Sequence, residues 1–380
     1  MEAFSFHNPT RINFGENQIG NLGKFIKRDG ITKCLLIAGG GSLKKNGAYN
    51  QIINSMKAVD IELVECWGVR ANPTLDKVNE ILQTLKQSEA QAIIAAGGGS
   101  VIDTAKAVAA GFYLEDPWQA FISNTPVQQA LPIYTVLTFS ATGSEMNGNA
   151  VITNTATKEK FGMFSPALYP RLSIIDPTLQ STLPFYQTAN GAMDATAHIL
   201  EYYFADEQAL STLAINEALL HTIAEMTDRL QQNPEDHVAR GNLAWSATLA
   251  LNGISGVGMH GGDWACHGIE HSFSALHPNI AHGAGLGVIF PAWIEYLSEK
   301  NPTRFLRWAK NVWKEDSIAL AVKRFRDKLH SWGMATTLRD LGIKQDDLSV
   351  LLSMIMIQPT IGGVFKLEKE EVRSLLMLAF

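Results

Sequence analysis

AQAIIAAGGGSVIDTAKAVAAG, residues 90–111, passes from an aliphatic strand through three glycines and a serine into an alanine-rich helix. The same unit occurs earlier, where ITKCLLIA (31–38) leads into Gly39, Gly40, Gly41 and Ser42 and then a helical stretch near Tyr49 to Lys57. Ile61 to Val64 reads as another strand, and Thr74 to Ser88 as a helix with Leu75, Val78, Ile81, Leu82 and Leu85 on one stripe. Apolar strands alternating with helices predict a parallel sheet covered on both faces. A glycine turn between strand and helix lets backbone amides approach an anion at the positive end of the helix. One such turn is often only a tight connection. Two at the carboxyl ends of strands point to the crevice where such sheets bind ligands. Neither has the GxGxxG spacing, so the expected fold is Rossmann-like without the usual fingerprint.

The stretch LPIYTVLTFSATGSEMNGNAVITN (131–154) adds a strand, Leu131 to Leu137. Thr138, Ser140, Thr142, Gly143 and Ser144 follow it, and hydroxyls there suit a ribose or a carboxamide, although loops are commonly rich in such residues. A last short strand is expected near Arg171 to Ile175. From Pro184 onward the period becomes helical. The reading is therefore an α/β nucleotide-binding domain over residues 1–180 and an all-helical domain over residues 181–380.

Composition narrows the class. The chain has 380 residues, a formal charge of −6 and a pI near 5.9, without the basic excess of a nucleic-acid binder. No apolar run reaches the ~18 residues of a membrane span, and MEAFSFHNPTRINFG lacks a basic region followed by an apolar core, so no secretory signal is expected. Cys34, Cys66 and Cys266 are too few and too scattered for a disulfide framework, which fits a cytoplasmic protein.

The helical half holds two chemically loaded segments. GAMDATAHILEYYF (191–204) places Asp194 and His198 four residues apart, on one helical face. DWACHGIEHSFSALHPNIAHGAGLGVIFPAW (263–293) crowds His267, His271, His277 and His282 together. A lone Asp and His at helical spacing is more often a surface pair than a metal site. Four of the chain's ten histidines in one short span are harder to assign to chance. A mixed carboxylate and imidazole set suits Zn2+ or Fe2+ better than Ca2+ or Mg2+. Spacing alone leaves open whether His267, His271 or both face the ion.

With these motifs the chain resembles the iron-containing alcohol dehydrogenases, and within them the butanol dehydrogenase-like branch. The resemblance rests on GGGSVIDTAKAVA (97–109), TFSATGSEMN (138–147), GAMDATAHILEYYF, and HGIEHSFSALHPNIAHGAGLGVIFPAW (267–293). It covers nearly the whole chain. It implies hydride transfer between a nicotinamide and a small alcohol or aldehyde, in a cleft between the two domains, in a protein that usually forms homodimers. It implies Asp194, His198, His267 and His282 as metal ligands and His271 as a nearby proton relay. The span between the last two ligands is one residue longer than usual, which keeps His277 open as an alternative. It further implies a cofactor site at Asn72, Gly98, Gly99, Ser100, Asp103, Thr138, Ser144, Asn149 and Lys160.

In the first glycine turn the family carries either an aspartate, which opposes a 2′-phosphate, or a glycine-serine turn that leaves room for one. Here Gly40, Gly41 and Ser42 stand there, followed by Lys44 and Lys45, which favours NADP(H) over NAD(H). Both lysines could equally be solvated. Two other classes compete. Metal-dependent enzymes of the same architecture that act on phosphorylated sugar acids, such as dehydroquinate synthase, would need a basic cluster near the metal, and residues 263–293 contain no lysine or arginine. A catalytically silent binding protein would not need intact ligand and cofactor motifs together.

Overall fold

A computed structural model describes residues 1–123 and 127–380. Six strands form one wholly parallel sheet: β1 (Arg11–Phe14), β2 (Lys33–Ala38), β3 (Glu62–Cys66), β4 (Ala92–Gly97), β5 (Ile133–Leu137) and β8 (Leu172–Ile175), in the order β1-β8-β5-β4-β2-β3. The central strands β4 and β5 are buried at every position, as a sheet covered on both faces requires. Ile93 and Ala95 enter one core layer, Ile94 and Ala96 the other. The helix Leu75–Ser88 starts where the Thr74 hydroxyl accepts from the Lys77 amide at 3.4 Å, and buries Val78, Ile81, Leu82 and Leu85. A separate antiparallel hairpin, β6 (Asn149–Asn154) and β7 (Glu159–Phe164), was not anticipated from the sequence.

The chain divides into two compact units, each with its own core. The sheet unit comprises His7–Leu183 and Pro234–Thr248, and the helical unit comprises Met1–Phe6, Pro184–Asn233 and Leu249–Phe380. Two segments thus depart from a single division near residue 180. Within the sheet unit the helical segment 237–248 belongs for physical reasons: Ala244 is fully buried in the sheet core, Trp245 meets Phe14 edge-on at 6.2 Å, and the Thr248 hydroxyl donates to buried Glu145 at 2.5 Å.

The helical unit is built around three helices that carry the histidine motifs: Phe185–Tyr203, Ala265–Leu276 and His282–Ser298. The first and third pack very closely. A β-carbon on Gly283 would fall 2.0 Å from the backbone oxygen of Asn190, so only glycine allows this approach. Among the described residues no helix is long and apolar enough to cross a membrane.

Candidate functional site

In the helical unit, the Phe185–Tyr203 helix presents Asp194 and His198 from successive turns, both buried. His267 projects from the Ala265–Leu276 helix, and His282 opens the His282–Ser298 helix. One ligating atom from each of Asp194, His267 and His282 lies within 4.8 Å of the others. His198 joins them: its Nε2 is 3.8 Å from Asp194 Oδ1, and its ring stacks 4.8 Å from that of His267. His282 Nε2 stands 3.7 Å from the same Asp194 oxygen. These separations exceed a hydrogen bond.

Burial, then the neighbouring His267 and His282, hold His198 well below its ordinary pKa, so the ring is neutral, the form that ligates a cation. His267 Nε2 and His198 Nδ1 are buried with no hydrogen-bond partner. An unmatched buried polar atom costs ~1–3 kcal/mol. The donor set and the orphaned His267 Nε2 fit a divalent metal of the zinc or ferrous type.

Two buried carboxylates that sequence reasoning missed stand behind the histidines. Glu201 accepts from His267 Nδ1 at 2.8 Å, from the His267 amide at 3.1 Å and from the Trp264 amide at 2.6 Å. Glu270 accepts from His282 Nδ1. Each bond fixes a tautomer that leaves Nε2 to face the cluster, the arrangement that orients metal-binding imidazoles. A signal existed: Glu201 follows His198 by three and Asp194 by seven, and Glu270 follows His267 by three, so each shares a helical face with a ligand candidate. Trp264 adopts the left-handed conformation, φ 63°, which costs a bulky residue roughly 1–2 kcal/mol, and Glu201 secures its amide.

His271 is half-buried, with its ring 5.6 Å from that of His282. Glu270, His271 and His282 form a second possible cluster, but Glu270 is already engaged by the His282 ring. His277 lies just past the end of its helix, with Nε2 3.4 Å from Asp347 Oδ2, and belongs to neither cluster. Phe273 is fully buried core, while Trp264 packs against His267 and Tyr202 at 5.3 Å each.

In the sheet unit the candidate cofactor residues collect at the carboxyl edge of the strands. Gly97 ends β4, and Gly98, Gly99 and Ser100 turn into the buried helix Gly99–Gly111. The segment after β5 lies against this turn: the Thr138 amide donates to Gly97 O at 3.0 Å, and a β-carbon on Gly99 would meet Thr142 Oγ1 at 2.4 Å. Asp103 is buried and faces inward, accepting from Ser144 Oγ at 2.6 Å and the Val151 amide at 3.0 Å. Lys160 Nζ donates to Asn72 Oδ1 at 3.1 Å, and Asn149 begins β6.

At the first glycine turn, Gly40 and Gly41 have open space where a side chain would project, and Gly41 takes φ 115° to start the turn Ser42–Lys45. The Lys44 ammonium lies 4.5 Å over the Trp67 ring and 5.1 Å over the Tyr49 ring. Both rings donate to Glu65 at 2.8 Å. The Gly68 amide donates to Gly39 O at 3.2 Å, which ties Trp67 to the turn.

Comparison with known proteins adds to this geometry. Residues 9–177 match the family described as "Iron-containing alcohol dehydrogenase", and residues 188–380 match "Fe-containing alcohol dehydrogenase family, C-terminal". The chain is 35% identical to NADH-dependent butanol dehydrogenase A of Clostridium acetobutylicum, with 98% of each chain covered. It is 33% identical to the NADPH-dependent aldehyde reductase YqhD of Escherichia coli, with 93% of each covered. The crystal structure of NADH-dependent butanol dehydrogenase A from Thermotoga maritima superposes with a TM-score of 0.97 at 49% identity, covering 100% of this chain and 99% of the other.

Proposed function

This chain belongs to the iron-containing alcohol dehydrogenase family, and from that premise we propose that it interconverts small primary alcohols and aldehydes, such as butanol and butanal, using NADP(H). The observation that carries the reading is the cluster of buried Asp194, His198 and His267 with half-buried His282, and Glu201 and Glu270 behind two of its imidazoles. These four residues would hold Fe2+ or Zn2+. A bound metal of this kind supplies Lewis acidity toward a substrate oxygen, and a bound nicotinamide supplies or accepts hydride.

The chain's own residues do the remaining work. Glu201 and Glu270 orient the His267 and His282 rings and keep each Nδ1 proton in place. His271, half-buried beside His282, is assigned the proton that enters or leaves the substrate oxygen, carried on a ring nitrogen. The amides of Gly98 to Ser100, at the start of a helix, receive the diphosphate. Gly40, Gly41 and Ser42 leave room for a 2′-phosphate, no carboxylate stands in that turn, and Lys44 offers it a cation. Relatives carry both NADH-dependent and NADPH-dependent names, so the preference for NADP(H) rests on these residues.

We include a homodimer and a cytoplasmic location in the reading. Support for the first is the position of β1 at the end of the sheet, with the partly exposed Phe14 and Trp245 alongside it, and light scattering on the purified protein tests it. Support for the second is the set of three buried free cysteines. The central test is anaerobic oxidation of NADPH or NADH with butanal, on protein stripped by chelator and resupplied with Zn2+ or Fe2+. Turnover should vanish on stripping, return with a metal and run faster with NADPH. Metal-independent turnover, or none with either nucleotide, overturns the reading.

A further inference from the structure

Among the described residues Lys106 is the one lysine in the set of largest fully buried side chains, and it lies in the middle of the apolar helix Gly99–Gly111. Removing an ammonium from water is costly unless oxygens replace the solvent. Five stand within reach of its three N–H donors: Ser144 O at 2.7 Å, Ser144 Oγ at 2.8 Å, Asn147 O at 2.8 Å, Asn147 Oδ1 at 3.1 Å and Asn149 O at 2.7 Å. All five belong to the six residues that follow Gly143. Asp103, one turn earlier on the same helix, takes Ser144 Oγ–H and the Val151 amide. Asn147 completes the turn by donating to Gly143 O at 2.9 Å and accepting from the Asn149 amide at 2.9 Å.

The helix that begins at the Gly98–Ser100 turn therefore grips the neighbouring β5–β6 turn with two side chains of opposite charge. A helix needs no buried lysine to pack on a loop. Alanine at this position would match the rest of the face. What the ammonium adds is a fixed shape for this stretch of backbone, in a low-dielectric setting where such bonds are strong. Burial pulls the Lys106 pKa down to about 8, opposed by Asp103 and Glu145, so the charged form still prevails at neutral pH.

We propose that Lys106 is a positioning residue for cofactor binding: it locks residues 144–149 to the diphosphate-facing helix, so that the surface meeting the nicotinamide half of the dinucleotide is rigid before the cofactor arrives. The inference rests on the dinucleotide reading above. It predicts that losing Lys106 weakens the grip on the nicotinamide half and spares the adenosine half.

The test compares NADP+ with 2′,5′-ADP, which lacks the nicotinamide and its ribose, by calorimetric titration of wild type, Lys106→Met and the milder Asn147→Ala. Lys106→Met should raise the dissociation constant of NADP+ on the order of tenfold while leaving that of 2′,5′-ADP unchanged, and Asn147→Ala should show the same asymmetry to a smaller degree. Equal weakening of both ligands, or of neither, overturns the positioning role. Wild type that binds neither NADP+ nor NAD+ overturns the dinucleotide reading itself, and the wild-type arm alone reveals it. Hydrogen exchange on the unmodified, nucleotide-free protein needs no variant to fold. The Asn149 and Val151 amides should exchange slowly before any nucleotide is added, and rapid exchange that slows only on binding refutes preorganisation.

Discussion

Replacing Glu201 with glutamine separates two roles that one carboxylate combines. The carboxylate accepts from Trp264 N–H at 2.6 Å, His267 N–H at 3.1 Å and His267 Nδ1–H at 2.8 Å. Glutamine has a single carbonyl oxygen, so its NH2 group must face either the Trp264 amide or both His267 donors. At least one buried donor is left unmatched, at a cost of ~1–3 kcal/mol. Trp264 is the residue held at φ 63°, so the local turn has little reserve. The second role concerns the metal: losing the charged acceptor behind His267 lowers the basicity of Nε2, and such changes typically reduce affinity by about 10- to 100-fold. Urea denaturation of the stripped protein reads the first effect, and titration of Zn2+ against a chromophoric chelator reads the second. Unchanged zinc affinity with lowered stability confines Glu201 to the Trp264 turn. No change in either refutes the reasoning altogether.

Gly283→Ala should destabilise by on the order of 3 kcal/mol and weaken metal binding, because a methyl would fall 2.0 Å from Asn190 O and drive His282 away from Asp194. Gly287→Ala on the same helix is the control: its methyl meets Met334 at 3.4 Å and should be nearly neutral in the same denaturation and metal titrations. Burial first, with the Glu201 carboxylate assisting, raises the Asp263 pKa from 3.8 to about 6. The folded state therefore holds a proton that the unfolded chain releases earlier, and this contribution to stability is present below pH 4 and is lost as pH rises through 6. Against Asp263→Asn, which keeps an acceptor for the Val364 and Phe365 amides, wild-type stability should fall by on the order of 3 kcal/mol between pH 4 and pH 7. A constant difference across that range would remove Asp263 as the titrating group. Lys44→Met should raise KM for NADPH about 3- to 10-fold and leave KM for NADH unchanged, as expected for a partly solvated charge pair with phosphate. Parallel changes in steady-state kinetics would dismiss Lys44 as the phosphate partner.

The alternation of apolar runs, glycine turns and helical stripes was enough to specify a parallel sheet, because it is a local signal with a local cause. The pairing of β1 was not legible. Arg11–Phe14 is short and half-exposed, and its partner Leu172–Ile175 lies far along the chain. The β6–β7 hairpin was hidden in the same way, since Asn149–Asn154 reads as the tail of a hydroxyl-rich loop. Residues 1–6 and 234–248 changed units because membership depends on which core a side chain enters, which Ala244 and Trp245 do not announce in sequence.

At the candidate metal site the sequence supplied Asp194 and His198 by helical spacing and proposed the later histidines by crowding. Spacing left the choice among them open and the family resemblance favoured His267 and His282; the folded chain shows where each ring stands. His267 and His282 turn toward Asp194 because Glu201 and Glu270 hold their opposite ring nitrogens, whereas His277 falls beyond a helix end and faces Asp347. The sequence by itself determined which residue types were available and which helical faces they occupied. The tertiary structure decided their orientation, because the carboxylate behind each imidazole and the oxygens around Lys106 come from separate turns or separate elements that only packing brings together.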